Sequence, residues 1–305
     1  MRVLYVNPMD YETNPGVDAI AHGLNHRLGH DGIEMRVIFA HFAHPQGQKL
    51  QLQAIEAAIA ARVDGIILYV LDPDQPADEV ASARTAGIPV FTFERPRFPV
   101  EGSLVYPNFN QGVYMAEELA NTLPAGAGVA VTGGPKIVDD EELLAGIVHG
   151  VKRSGLNLLN DPFQDEYRNE TDLRPGGKDA ALRILSEFPH IDGFIPYNDE
   201  TMLGTLDALD ETGRGDGMKL VSRNGTPRAI AALQAGRTIG TWDIDCPAIG
   251  AALGDLVAGK LVRHEDMENV LAVGPIGRLI TKHNLPTWTP WSTRIPFTPL
   301  HVGLD

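Results

Sequence analysis

Three short stretches of this chain carry side chains able to do chemistry. Tyr197-Asn198-Asp199-Glu200 follows an apolar run over 191–196 and opens an amphipathic helix. Glu94-Arg95 follows Ile88-Pro89-Val90-Phe91-Thr92-Phe93, and Arg223-Asn224 follows Lys219-Leu220-Val221-Ser222. In each case an apolar strand stops on an amide, a carboxylate or a guanidinium and turns toward a helix. That pattern puts polar side chains at the carboxyl edge of a parallel sheet, where open α/β sheets bind ligands. Amides donate and accept, carboxylates accept, and guanidinium groups donate through a rigid fork. The combination suits a small polar molecule.

Other chemistries find little support. Gly133-Gly134-Pro135 lacks the Gly-Lys-Ser/Thr ending of a phosphate loop, and no G-x-G-x-x-G fingerprint is present. No G-x-S-x-G elbow and no triad are in view, so no reaction is expected. The single cysteine, Cys246, excludes an intramolecular disulfide and Cys-based zinc sites. His22 and His26 stand four apart on a helix, and His41 and His44 share a loop, but no further ligands accompany them. No metal and no cofactor are expected. Asp139-Asp140-Glu141-Glu142 opens a helix, where carboxylates complement the dipole.

The elements that would position these residues alternate between strand and helix. Val3 to Val6 is an apolar strand, and Val17, Ile20, Leu24 and Leu28 follow at helical spacing. Glu34 to Phe39 and Gly65 to Val70 are strands, with helices over 50–61 and 77–86. The continuous apolar run Gly65 to Val70 fits a parallel strand covered on both faces. After a short strand at Leu104 to Tyr106, Asn108 or Asn110 caps a helix running through Met115 to Leu123. The pattern then restarts, with strands over 128–132, 191–196, 218–222 and 238–242. Helices are expected over 141–154, 178–188, 227–234 and 249–257. Strands alternating with helices give parallel sheets flanked by helices, and two such runs give two similar lobes. A proline-rich tail from Leu285 carries Trp288 and Trp291, which are expected to pack on a lobe rather than face water.

A length of 305 residues fits about two domains. With 40 acidic residues against 25 basic ones, and no Lys/Arg cluster, nucleic acid and anionic membrane surfaces are disfavoured as partners. No apolar run approaches the roughly 18–20 residues that span a bilayer. Met1 is followed at once by a core strand. The chain is therefore either cytoplasmic or a mature form separated from its signal.

Taken in order, Gly65-Ile66-Ile67-Leu68, Gly87-Ile88-Pro89-Val90 through Glu94-Arg95, Asn198-Asp199 with Leu203-Gly204, and Asn224-Gly225-Thr226-Pro227 resemble a known family. The chain looks like a type I periplasmic solute-binding protein of the ribose-binding kind. The resemblance runs from Val3 to Gly277. It implies an α/β protein of two Rossmann-like lobes, joined by three hinge crossovers near Asn108, Asp243 to Asp245, and Gly274 to Gly277. One lobe would hold residues 1–108 plus 246–275. The other would hold 109–245 plus 276–305, including the tail. It further implies a monomeric, non-enzymatic receptor of an ABC importer. That receptor would close by hinge bending on a monosaccharide, polyol or sugar acid and pass it to a membrane permease. The implied location is the periplasm. A cytoplasmic sensor with the same core, lacking a DNA-binding domain, is the alternative.

The resemblance also implies ligand residues. Asn14 stands where the family has an Asn before the first helix, with Tyr11 as a substitute stacking aromatic. Glu94-Arg95 replaces the family's Asp-Arg. Asn198 matches an Asn that bonds ligand hydroxyls, with Asp199 as the helix cap. Arg223-Asn224 replaces an aromatic-Asp pair, the largest departure. Two readings of Arg223 stand: a contact to a ligand carboxylate, or pairing with Asp243 or Asp245 that only neutralises the site. Asp245 matches a Gln or Asp position, and Trp242 offers a stacking face. A family Arg on the helix after Gly133-Gly134 is replaced by Ile147. Either that ligand contact is lost, or its role passes to His149 or to the loop from Tyr167 to Asp172.

Overall fold

The computed structural model describes residues 1–42 and 46–304, so His44 lies outside the described residues. The chain divides into two compact units. The first is Met1–Tyr106, Cys246–Pro275 and Thr289–Asp305; the second is Pro107–Asp245 and Ile276–Trp288.

In chain order the elements begin with β1 (Arg2–Asn7), α1 (Pro15–His30), β2 (Glu34–Phe39), α2 (Gly47–Ala61), β3 (Gly65–Tyr69), α3 (Ala77–Thr85), β4 (Val90–Phe93) and β5 (Gly102–Val105). They continue with α4 (Asn108–Ala120), β6 (Gly128–Thr132), α5 (Val138–Arg153), β7 (Asn157–Leu158), α6 (Arg174–Glu187), β8 (Gly193–Pro196), α7 (Asp199–Thr212), β9 (Lys219–Asn224), α8 (Pro227–Gln234) and β10 (Gly240–Asp243). The last are α9 (Cys246–Leu261), β11 (Val270–Val273), β12 (Arg278–Thr281), α10 (Trp291–Arg294) and β13 (His301–Val302).

The first unit is built on one sheet, ordered β11-β5-β4-β3-β1-β2-β13, with every pair parallel. Each residue of β3 is buried, as the apolar run requires of a strand covered on both faces. Leu4, Val6, Ile66, Leu68 and Val90 pack with Ile55, Ala58 and Val80 of the covering helices. Strand order reverses between β1 and β3, so the loops after these strands flank the switch point where such sheets bind ligands.

The second unit repeats the plan with the order β12-β10-β9-β8-β6-β7, in which only β12 runs antiparallel. Its reversal lies between β6 and β8. Phe194, Leu206, Leu209 and Leu220 form its core with Ala181 and Ile184 of α6. The α8 helix shows why sequence places it well: Pro227 occupies the first turn, and Thr226 accepts from the Ala229 amide at 3.2 Å. Thr226→Ala is expected to cost about 1 kcal/mol, the usual value of such a cap, as a lower urea midpoint with unchanged slope.

Two glycines set how closely helices approach. A Cβ on Gly146 of α5 would lie 2.0 Å from the Phe109 carbonyl, and one on Gly112 of α4 would lie 2.3 Å from that of Leu143. The two helices therefore pack backbone to backbone, which brings their first turns together.

The tail differs from expectation. Thr289–Asp305 belongs to the first unit, and only Ile276–Trp288 stays with the second. The reason is an open sheet edge: β13 pairs His301 and Val302 with Arg36 and Val37 of β2, satisfying backbone groups the edge strand would leave bare. Trp291 is buried with the first unit, whereas Trp288 packs on Ile230, Leu233 and Ile280 of the second. The chain thus changes unit at 106/107, 245/246, 275/276 and again at 288/289. Strands β7, β11, β12 and β13 have no counterpart in the sequence reading: all four are short sheet edges with little buried surface to constrain their residues. Neither Asn108 nor Asn110 caps α4. Pro107 holds that position, and Asn108 is the first helical residue.

Candidate functional site

The carboxyl edge of the second unit gathers most of the polar side chains. Asn198 ends the β8 turn and is itself the N-cap of α7. Its Oδ1 accepts from the Thr201 amide at 2.9 Å, and its Nδ2 donates to Asp172. Asp199, expected as the cap, is instead the first helical residue and fully buried. Its Oδ1 accepts from Ser222 Oγ at 2.5 Å and Thr241 Oγ1 at 2.7 Å, and its Oδ2 from the Thr226 amide at 2.7 Å. One carboxylate therefore ties α7 to β9 and β10. Burial pushes its pKa up to about 6, with those donors pulling it back.

Arg223, at the end of β9, is only 5% exposed. Its Nη1 donates to Asn108 Oδ1 at 2.9 Å, and its Nη2 lies 3.4 Å from Asp140 Oδ1 and 3.9 Å from Asp139 Oδ2. Both carboxylates are buried in the first turn of α5. The close packing of α4 on α5 is what delivers Asn108 and the two acids to one guanidinium. Burial raises the Asp140 carboxyl well above its usual range. Neighbouring Asp139 adds to the rise and Arg223 opposes it.

Asp172 accepts from the Tyr197 hydroxyl as well as from Asn198. Burial pushes its carboxyl up to about 7 against those two hydrogen bonds. Of the loop from Tyr167 to Asp172 and His149, the structure brings Asp172 to Asn198, whereas His149 lies beside the Phe109 ring.

Four of the eight non-glycine residues with positive φ among the described residues fall at candidate positions. Glu94, Asp172, Asn224 and Asp245 have φ of 64°, 58°, 124° and 52°. Left-handed backbone costs a residue with a Cβ, and such residues concentrate at ligand sites. Asp and Asn tolerate it through local hydrogen bonds, and the Asp245 amide donates to Asp243 Oδ1 at 3.0 Å. Glu94 has less excuse, which makes its conformation the more informative.

Two expected ligand side chains are occupied elsewhere. The Tyr167 ring lies in the core with Ile184 and Phe194, and its hydroxyl donates to Glu187 Oε2 at 2.6 Å. The Trp242 indole donates to the Ile276 carbonyl at 2.7 Å and stacks on Tyr114 at 5.3 Å. Large aromatic surfaces gain more from these apolar contacts than from an aqueous edge, so Tyr167 and Trp242 serve packing.

On the first unit, the end of β4 presents Glu94 buried and Arg95 exposed. Asn14 is the N-cap of α1, accepting from the Gly16 amide at 3.0 Å and the Val17 amide at 3.5 Å. Tyr11 is 41% exposed, so a stacking face remains open, and its hydroxyl meets His22 Nε2 at 3.3 Å.

Sequence reasoning missed Asp139, Asp140 and Asn108 as site residues. The paired acids were read as dipole partners of α5. The available signal was their position in a strand-turn-helix unit like the other three, opposite a buried Arg needing a counter-ion. Among the described residues, no three His, Cys, Asp or Glu converge as a metal cage, and no helix is long and apolar enough to cross a membrane.

Comparison with known proteins agrees with this geometry. Residues 9–265 match the family described as periplasmic binding protein domain. The chain is 26% identical over 227 residues to the xylitol-binding protein of Mycolicibacterium smegmatis, covering 72% of this chain and 62% of that protein's own length. It is 26% identical over 220 residues to the ribose import binding protein of Bacillus subtilis, covering 70% and 69% of the two chains. Its fold is similar to that of the periplasmic binding protein component of the arabinose ABC transporter from Shewanella sp. ANA-3, solved with bound L-arabinofuranose. That similarity has a TM-score of 0.81 and 18% identity over 94% of each chain. Two largely parallel sheets with polar side chains at their carboxyl edges, and a family match over most of its length, place this chain in the periplasmic binding protein domain family.

Proposed function

We propose that this chain is a solute receptor for a small, polyhydroxylated molecule, serving an importer in the membrane from the periplasmic side. The relatives are described as binding or importing xylitol, ribose and arabinose, which supports a monosaccharide or polyol. The carrying observation is the buried group around Arg223. Its guanidinium is already held by Asn108, Asp140 and Asp139, so it enters the site neutralised rather than as a free cation. Within the range of sugars, polyols and sugar acids, this favours neutral members. Asn198, Asn224, Asp172 and Asp245 then offer acceptors and amide donors to hydroxyls. Glu94, Arg95, Asn14 and Tyr11 are the candidate set on the first unit, and the support for each set is its own edge chemistry.

A thermal-shift screen of xylitol, ribose, arabinose and myo-inositol against ribonate and galacturonate tests this. At a hundred times its dissociation constant, a bound solute adds about 2.7 kcal/mol of stability. The expected result is a rise in Tm with at least one neutral compound. Shifts confined to the acids, or no shift with any neutral sugar or polyol, would overturn the reading.

A further inference from the structure

On the first unit, away from the strand ends, α1 carries a second histidine pair. The sequence pointed to His22 and His26, but the structure separates them by use: His22 stacks on Phe297 at 4.3 Å and meets Tyr11. His26 turns instead toward His30, one helical turn further on, and their Nε2 atoms lie 3.2 Å apart. The rings meet edge-on, with centroids 4.5 Å apart. This pair borders a surface cavity of about 300 Å³ that is also lined by Asn25, Thr298 and His301. Asn25 and Thr298 are joined at 2.9 Å, so the tail closes one side of the cavity.

We propose that His26 and His30 form a chelating site for a divalent transition metal of the zinc or nickel kind. The geometry is the argument. Zinc binds imidazole nitrogen at about 2.0–2.1 Å, and two such bonds at a tetrahedral angle put the nitrogens about 3.3–3.4 Å apart. The observed spacing is within about 0.2 Å of that value. The helix fixes the spacing of the two Cβ atoms one turn apart, and rotation of each ring about its side-chain bonds turns both Nε2 lone pairs toward one point. In the metal-free pair one Nε2–H donates to the other Nε2. On binding, that proton moves to Nδ1 of its own ring, and both Nε2 lone pairs face the ion. Imidazole donors select zinc, nickel and copper over magnesium and calcium, which prefer oxygen. Water completes the coordination, and His301 of β13 is the nearest further imidazole in the cavity lining. The site lies wholly on the first unit and is independent of the solute reading.

The test is calorimetric titration of the untagged full chain with zinc and nickel at pH 7.5. One saturable site of micromolar affinity is expected, with no response to magnesium. His26→Gln and His30→Gln should each weaken binding at least tenfold. His264→Gln, an exposed histidine elsewhere, should leave it unchanged. A matching rise in Tm with zinc, lost in the same two variants, checks that the folded chain is the binder. Absence of a saturable site, or equal affinity in the His26→Gln and His30→Gln variants, would overturn the proposal.

Discussion

Replacing Arg223 with Met is expected to remove about 3–5 kcal/mol of folding stability at pH 8, the usual cost of leaving a buried charge without its partner. Asp139 and Asp140 are 5% and 3% exposed, so water cannot take over from the guanidinium. Methionine fills much of the same volume, which keeps the comparison electrostatic rather than a matter of cavity. The loss should shrink with acidity. Asp140 already holds its proton more tightly than an ordinary carboxyl, and removing Arg223 strengthens that hold. At pH 5 the variant can bury a neutral acid instead of an anion. Asp140→Asn in the same background should recover much of the deficit at pH 8, because it removes the stranded charge. Urea denaturation at both pH values measures all of this. A deficit under 1 kcal/mol at pH 8 would show that Arg223 faces no buried carboxylate charge there, and the neutralised-site argument for a neutral solute would lose its basis.

The second large effect concerns Asp172. Its carboxyl sits at about 7 in the fold against 3.8 for an ordinary aspartate, chiefly through burial. Between those values the folded state binds more protons than the unfolded one. Stability therefore falls as pH rises through this window and levels off above it. At about 1.4 kcal/mol per pH unit, the Asp172 contribution approaches about 4 kcal/mol. Asp18, raised to about 7, and Asp199, raised to about 6, slope the same way. Asp172→Asn should flatten the profile between pH 4 and pH 8 by its own share. The amide oxygen still accepts from Tyr197 or Asn198, so the variant is expected to be the more stable protein at pH 8. Thermal melts at half-unit pH steps decide the matter. Parallel profiles for the parent and Asp172→Asn would mean that Asp172 ionises as freely in the fold as in the unfolded chain.

The sequence by itself determined the alternating plan and its repetition. A parallel strand buried on both faces must be continuously apolar, and Gly65 to Tyr69 admits little else. It also determined which strands end on polar residues, since Asn198, Arg223-Asn224 and Glu94-Arg95 interrupt apolar runs outright. The helix caps were less legible: Asp199 and Asn108 or Asn110 are the caps the sequence suggests, whereas Asn198 and Pro107 hold those positions. What the tertiary structure decided is which of these side chains meet. Asn108, Asp139 and Arg223 are far apart in the chain, and only the close packing of α4 on α5 permitted by Gly112 and Gly146 brings them to one point. The fates of Tyr167 and Trp242 also depended on distant partners, Glu187 and Tyr114, that no local pattern announces. The place of the last tail residues, in the first unit rather than with Ile276–Trp288 in the second, is set in the same way. A two-residue strand has no periodicity of its own, and its place is fixed only by the open edge of β2 that it completes.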